Sequence, residues 1–121
     1  MNRFEERKET IFDHETNLEW EKEHSGPMTW AEAVKYAKKI GNGWRLPTRN
    51  ELISLIDDRL FNPASSFPEM PFEQFWSSSS YAGSASHAWF VYFGYGYVDN
   101  LDKTNTFCVR CVRGATVVTT Q

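Results

Sequence analysis

Hydrophobic and polar positions alternate along the chain in three distinct ways. Residues 9–20 run Glu-Thr-Ile-Phe-Asp, then the turn-like His14-Glu15-Thr16-Asn17, then Leu18-Glu19-Trp20; Leu18 and Trp20 share a face, which predicts a short hairpin. At Thr29 the period changes. Glu32 follows Thr29 by three residues, the reciprocal pattern that satisfies free amides at a helix start, and Trp30, Ala33, Val34, Ala37 and Ile40 then recur at helical spacing up to Gly41. This predicts a first helix over about 30–40. Thr48 with Glu51 repeats the pattern ahead of Leu52, Ile53, Leu55 and Ile56, and Pro47 keeps Leu46 extended, so a second helix is expected over about 49–57. Asn62-Pro63, Phe67-Pro68 and Met70-Pro71 then describe an irregular connection.

From Phe75 onward the period is two. Trp89, Val91 and Phe93 alternate with Phe90 and Tyr92, so the first set is expected to face the core and the second to face water. Gly94-Tyr95-Gly96 supplies a tight turn, Tyr97-Val98 begins a return strand, and residues 107–113 read as one final strand. Two helices early and a meandering antiparallel sheet late make an α+β domain, with the helices packed on short antiparallel sheets.

At 121 residues the chain is expected to form a single domain over 1–121. No apolar run reaches the roughly 20 residues that span a bilayer, and the charged start MNRFEERKET is not that of an export signal, so direct membrane insertion is not expected. A net charge of -3 argues against a general electrostatic hold on nucleic acid. The charge is unevenly placed: residues 77–121 contain only Asp99, Asp102, Lys103, Arg110 and Arg113 and are otherwise rich in Ser, Gly, Tyr, Phe, Asn and Thr. Aromatics at 16%, with five Trp, exceed what a core of this size needs.

Gly43-Trp44-Arg45-Leu46-Pro47-Thr48, Glu51-Leu52, Leu55-Ile56-Asp57, Phe75-Trp76-Ser77-Ser78-Ser79, Ala88-Trp89, Phe93 and Val109-Arg110-Cys111-Val112-Arg113 form an ordered set. Together they resemble the C-terminal domain family of Legionella collagen-like proteins, a branch of the C-type lectin fold related to the formylglycine-generating enzyme. The resemblance runs from about Arg3 to Gly114. It implies a C-type lectin-like fold in which terminal strands come together and a late sheet displays a ligand-binding face. It also implies kinship with the variable proteins of diversity-generating retroelements, whose rewritten stretch here corresponds to about 80–107.

Adenine-directed rewriting of AAC-type codons cannot produce Glu, Gln, Met, Lys or Trp. Residues 77–120 contain no Glu, Gln or Met, and their single Lys and Trp, Lys103 and Trp89, match fixed family positions. A Ser- and Tyr-rich sheet half is often poor in Glu for other reasons, so both accounts stand at this level.

The expected ligand-binding residues are Tyr81, Gly83, Ser84, His87, Phe90, Tyr92, Tyr95, Tyr97, Asn100, Leu101, Asp102, Asn105 and Phe107, at strand positions alternating away from the core or in turns. Tyr and Phe supply rigid contact area there, and Asn, Ser and Asp adaptable hydrogen bonds, which is the chemistry of a paratope. The expected partner is a protein or cell-surface target, reached as part of a virion or through a carrier protein. The alternative is an invariant adhesin or glycan-binding domain.

The tryptophans read as core rather than as a sugar-stacking set, and Arg45 and Arg110 with Asp57 are candidates for buried charge pairs. Cys108 and Cys111 form a C-x-x-C, but residues three apart on a strand point to opposite faces, and no second Cys pair or His cluster completes a zinc site. No cofactor or metal is expected. The run Ser77–Ser80 lacks a nucleophile turn, the two late cysteines share one strand in a chain too short for the formylglycine-generating chemistry, and the E-P-N, Q-P-D and W-N-D segments of calcium-dependent lectins do not occur. The expected protein is therefore not an enzyme.

Overall fold

In the computed structural model, which describes residues 2–114, the N-terminal hairpin forms where the alternation places it. Strands β1 (Phe4–Glu6), β2 (Thr10–Asp13) and β3 (Leu18–Glu21) pair antiparallel, and Asn17 closes the β2–β3 turn at φ 59°. Ile11 stands opposite Trp20, and Trp20 opposite Val112 of the last strand, β9 (Val112–Gly114), so these three side chains share a face and all are fully buried. The sheet order is β1-β2-β3-β9, which joins the first and last described strands in one sheet.

Helix α1 (Trp30–Ile40) matches its expected bounds. Thr29 accepts from the Glu32 amide while the Glu32 carboxylate accepts from the Thr29 amide, and Ala33 and Ala37 face inward. Helix α2 (Arg49–Ile53) begins with the same reciprocal cap from Thr48 and Glu51 but ends earlier than the expected 57. The Ser54 hydroxyl donates to the Glu51 carbonyl, the amides of Leu55 and Ile56 reach back only three residues, and the Asp57 amide leaves the helix axis for the Ala64 carbonyl.

The second sheet contains β4 (Ser25–Met28), β5 (Gln74–Tyr81), β6 (Ser84–Tyr92), β7 (Tyr97–Asp102) and β8 (Phe107–Val109), in the order β4-β8-β5-β6-β7. Only the β5–β8 pair is parallel. The stretch 107–113 is thus two strands in two sheets rather than one. The chain changes sheet at Arg110–Cys111, where the Arg110 guanidinium donates to the Glu21 and Lys22 carbonyls and the Cys111 amide donates to the Glu21 carboxylate.

The central strands carry core on both sides. Phe75 and Val91, paired across β5–β6, join Trp20, Leu52, Leu55, Phe67, Phe93 and Val112. Trp76 and Phe90, the next pair, join Ala33 and Ala37 of α1 with Leu46, Phe107, Val109 and Cys111. Strict alternation of buried and exposed residues therefore fails in β6. Phe90, expected to face water, is 2% exposed, with its ring 4.6 Å from that of Phe107. Phe107, likewise expected on the binding face, is 9% exposed and packs 4.6 Å from Trp76. Both belong to the core. No helix of the described chain is long and apolar enough to cross a membrane.

Candidate functional site

The β6–β7 ribbon sits at an edge of the five-stranded sheet, so its outer side chains are free of neighbours on one flank. Its register assigns faces. Tyr92 pairs Tyr97, Phe90 pairs Asp99 and Ala88 pairs Leu101 on one face, whereas Val91 pairs Val98, Trp89 pairs Asn100 and His87 pairs Asp102 on the other. The expected single binding face is therefore divided: Tyr92, Tyr97 and Leu101 lie on one side of the ribbon, and His87, Asn100 and Asp102 on the other.

On the first side the tyrosines meet. The Tyr92 ring lies 5.5 Å from Tyr95 and 5.2 Å from Tyr97, both edge-on, and Tyr95 and Tyr97 are 70% and 45% exposed. The turn that presents them depends on Gly96, whose φ of +82° favours glycine and where a Cβ would come within 2.9 Å of the Ala64 Cβ. Leu101 is exposed farther along the same face. Two residues outside the expected set stand beside this turn. The Asn62 amide donates to the Gly94 carbonyl and the Phe93 amide to the Glu73 carbonyl, so exposed Phe61 and Phe72 each precede a residue whose backbone is bonded to this turn or to the strand end before it. Large apolar residues in a proline-rich connection with no period to bury them were the only sign of these two in the sequence.

On the second side His87 Nδ1 lies 3.0 Å from Asn100 Oδ1, and the Tyr81 ring packs 5.5 Å from Trp89 and 6.5 Å from His87. Gly83 forms the β5–β6 turn against the Tyr81 ring, and the hydroxyls of Ser84 and Ser86 are in contact at 3.0 Å. Asp102 and Asn105 shape the turn after β7: the Asp102 carboxylate accepts from the Thr104 amide and hydroxyl, bonds that hold it below the usual carboxylate range, and the Asn105 amide donates to the Asp102 carbonyl.

Trp20 and Trp76 are fully buried, as expected of core, whereas Trp30, Trp44 and Trp89 are half-buried and each has a cation over its ring. Lys103 covers Trp30 at 4.1 Å, Arg113 covers Trp44 at 4.5 Å and Arg49 covers Trp89 at 4.3 Å. Trp89 was expected to face the core; instead it walls a groove of about 370 Å³ with Arg49, Ser79 and Tyr81.

The charge pairs also differ from expectation. Arg45 forms a two-pronged pair with Glu51 at 2.7 Å, Asp57 pairs with Arg59, whose hydrogen bonds hold its carboxyl down to about 2, and Arg110 donates from one Nη to the Glu21 and Lys22 carbonyls while its buried Nε has no partner. Among the described residues the buried acid is Asp13, paired with half-buried Arg3. Cys108 and Cys111 are free thiols that pack in the two different cores, and burial pushes both up.

No curated protein sequence matches the chain. The signature of the Lcl C-terminal domain covers residues 9–113, from the start of β2 into β9, and the chain belongs to that family.

Proposed function

We propose that this chain is a non-enzymatic recognition domain on a C-type lectin-like scaffold, and that it binds a protein target through the tyrosine patch on the β6–β7 ribbon. The observation that carries this reading is the mutual packing of Tyr92, Tyr95 and Tyr97 at a turn, where the Tyr95 and Tyr97 rings meet solvent over a half-buried Tyr92 that rests on the core, while a paired ribbon fixes their backbone. Such rings offer extensive contact area at low entropic cost.

We propose further that about 80–107 is the rewritten segment of a retroelement variable protein. The two residues of that segment that AAC-type codons cannot reach support this. Lys103 donates to Ser80 and to the Ala85 carbonyl, and Trp89 packs with Arg49 and Tyr81, so both are tied into the fold by their own contacts.

Sequencing the DNA downstream of the gene tests the proposal. The expected finding is a near-copy of codons 77–114 beside a reverse-transcriptase gene, with adenine mismatches at the codons for Tyr92, Tyr95 and Tyr97 and none at those for Phe90 and Phe107. Without such a copy the patch is a fixed site with one ligand. The invariant adhesin reading then takes over, and tight, salt-sensitive heparin binding would be its mark, although residues 77–107 offer one Lys and no Arg for it.

A further inference from the structure

Arg49 is poised for a ligand that the fold does not provide. Its guanidinium lies 4.3 Å over the Trp89 ring, and among the described residues no carboxylate comes within 4.0 Å of it. The acid nearest in sequence, Glu51, is already engaged through both oxygens by Arg45 and also accepts from the Thr48 amide. The backbone is equally fixed, because the Arg49 amide donates to Ser79 Oγ and ties α2 to β5. An arginine held over an aromatic ring has already given up much of its rotamer freedom while keeping its fork of N–H donors, so less entropy is lost when it binds an anion.

The groove beside it has matching chemistry. Thr48, Asn50, Ser79, Ser80 and Tyr81 line it together with Trp89, and no Asp or Glu does. Lys103 donates to Ser80 Oγ at 3.0 Å and to the Ala85 carbonyl and lies over the Trp30 ring, so Arg49 is the cation of the lining. A cationic fork, hydroxyls and aromatic walls suit a carboxylate carried on a short apolar stem. A pyranose ring fits less well, because Arg49 occupies one face of the indole and Tyr81 packs against it at 85°.

We propose that this groove anchors a single acidic side chain of the protein target. The assignment rests on the recognition reading and names the part of the target that one pocket holds. It also places contacts on both faces of the ribbon, with the tyrosines on one and Arg49–Trp89 on the other.

The test uses the full 121-residue chain, ¹⁵N-labelled, titrated with N-acetyl-glutamate amide. The expected result is a saturable shift of the Arg49 Nε–H and Trp89 indole N–H signals, with a dissociation constant of roughly 1–10 mM for so small a probe. N-acetyl-glutamine amide at equal ionic strength should produce none. Arg49→Gln should abolish the shift and Arg49→Lys should weaken it about threefold or more, with the Trp76 indole signal unmoved as a check on the fold. Absence of a saturable shift, an equal response to the glutamine probe, or full binding by Arg49→Gln would each overturn the assignment. Tighter binding of glucuronate would overturn it in favour of a sugar acid, and equal binding of sulfate in favour of a general anion site. Because the probe does not touch the tyrosine patch, this outcome is independent of whether a downstream template exists.

Discussion

Asp13 is the most heavily satisfied charge among the described residues. Fully buried, its carboxylate accepts two bonds from Arg3 at 2.8 Å, one from the Glu15 amide and one from the Thr16 hydroxyl. Burial alone would raise its pKa, but these bonds together hold it below the usual carboxylate value. Its stabilisation is therefore complete above about pH 4, the unfolded value, and is lost as pH falls further through the folded one. Asp13→Ala should cost about 2–4 kcal/mol in urea denaturation at pH 7, and the difference from the parent chain should shrink below pH 4. A second contrast separates core from display. Phe90→Ala should cost about 3–5 kcal/mol, whereas Tyr95→Ala should stay within about 0.5 kcal/mol. A large loss at Tyr95 in the same denaturation experiment would move the tyrosines from display into structure.

Each helix begins with its own reciprocal cap, and each cap is open to a separate test. Thr29→Ala and Thr48→Ala should each lower stability by about 1 kcal/mol, and circular dichroism should show the overall fold retained. These elements were legible in the sequence because their signals are local: Thr29 and Glu32 lie within one turn, and the hairpin residues within a dozen positions. What was not legible depends on distant contacts. Phe90 alternates with Val91 like a solvent-facing residue, yet a strand with α1 on one side and the other core behind it buries both sets. The division of 107–113 into β8 and β9 follows from Arg110 reaching the Glu21 and Lys22 carbonyls, a bond between opposite ends of the chain. The Arg49–Trp89 contact joins a helix start to a strand far along the sequence, and no periodicity carries it.

At the scale of the whole molecule, the two cores share one sheet, so they should be lost together. Cys108 reports on one core and Cys111 on the other, and burial holds both thiols above their ordinary range. With a thiol reagent at neutral pH, both should react slowly in the native protein and rapidly at the denaturant midpoint seen by tryptophan fluorescence. Reaction of Cys108 alone below that midpoint would reveal local opening around β8. The joining of β9 to β3 has a consequence for any gene whose middle codons change often. Val109, Cys111 and Val112 complete both cores, and Arg110 secures the N-terminal hairpin, all just beyond residue 107. A frameshift or premature stop within 80–107 removes them at once and leaves Trp20 uncovered and β3 unpaired on that side. Were the segment rewritten as proposed, pairing of the closing strand would report that translation had passed through it in frame.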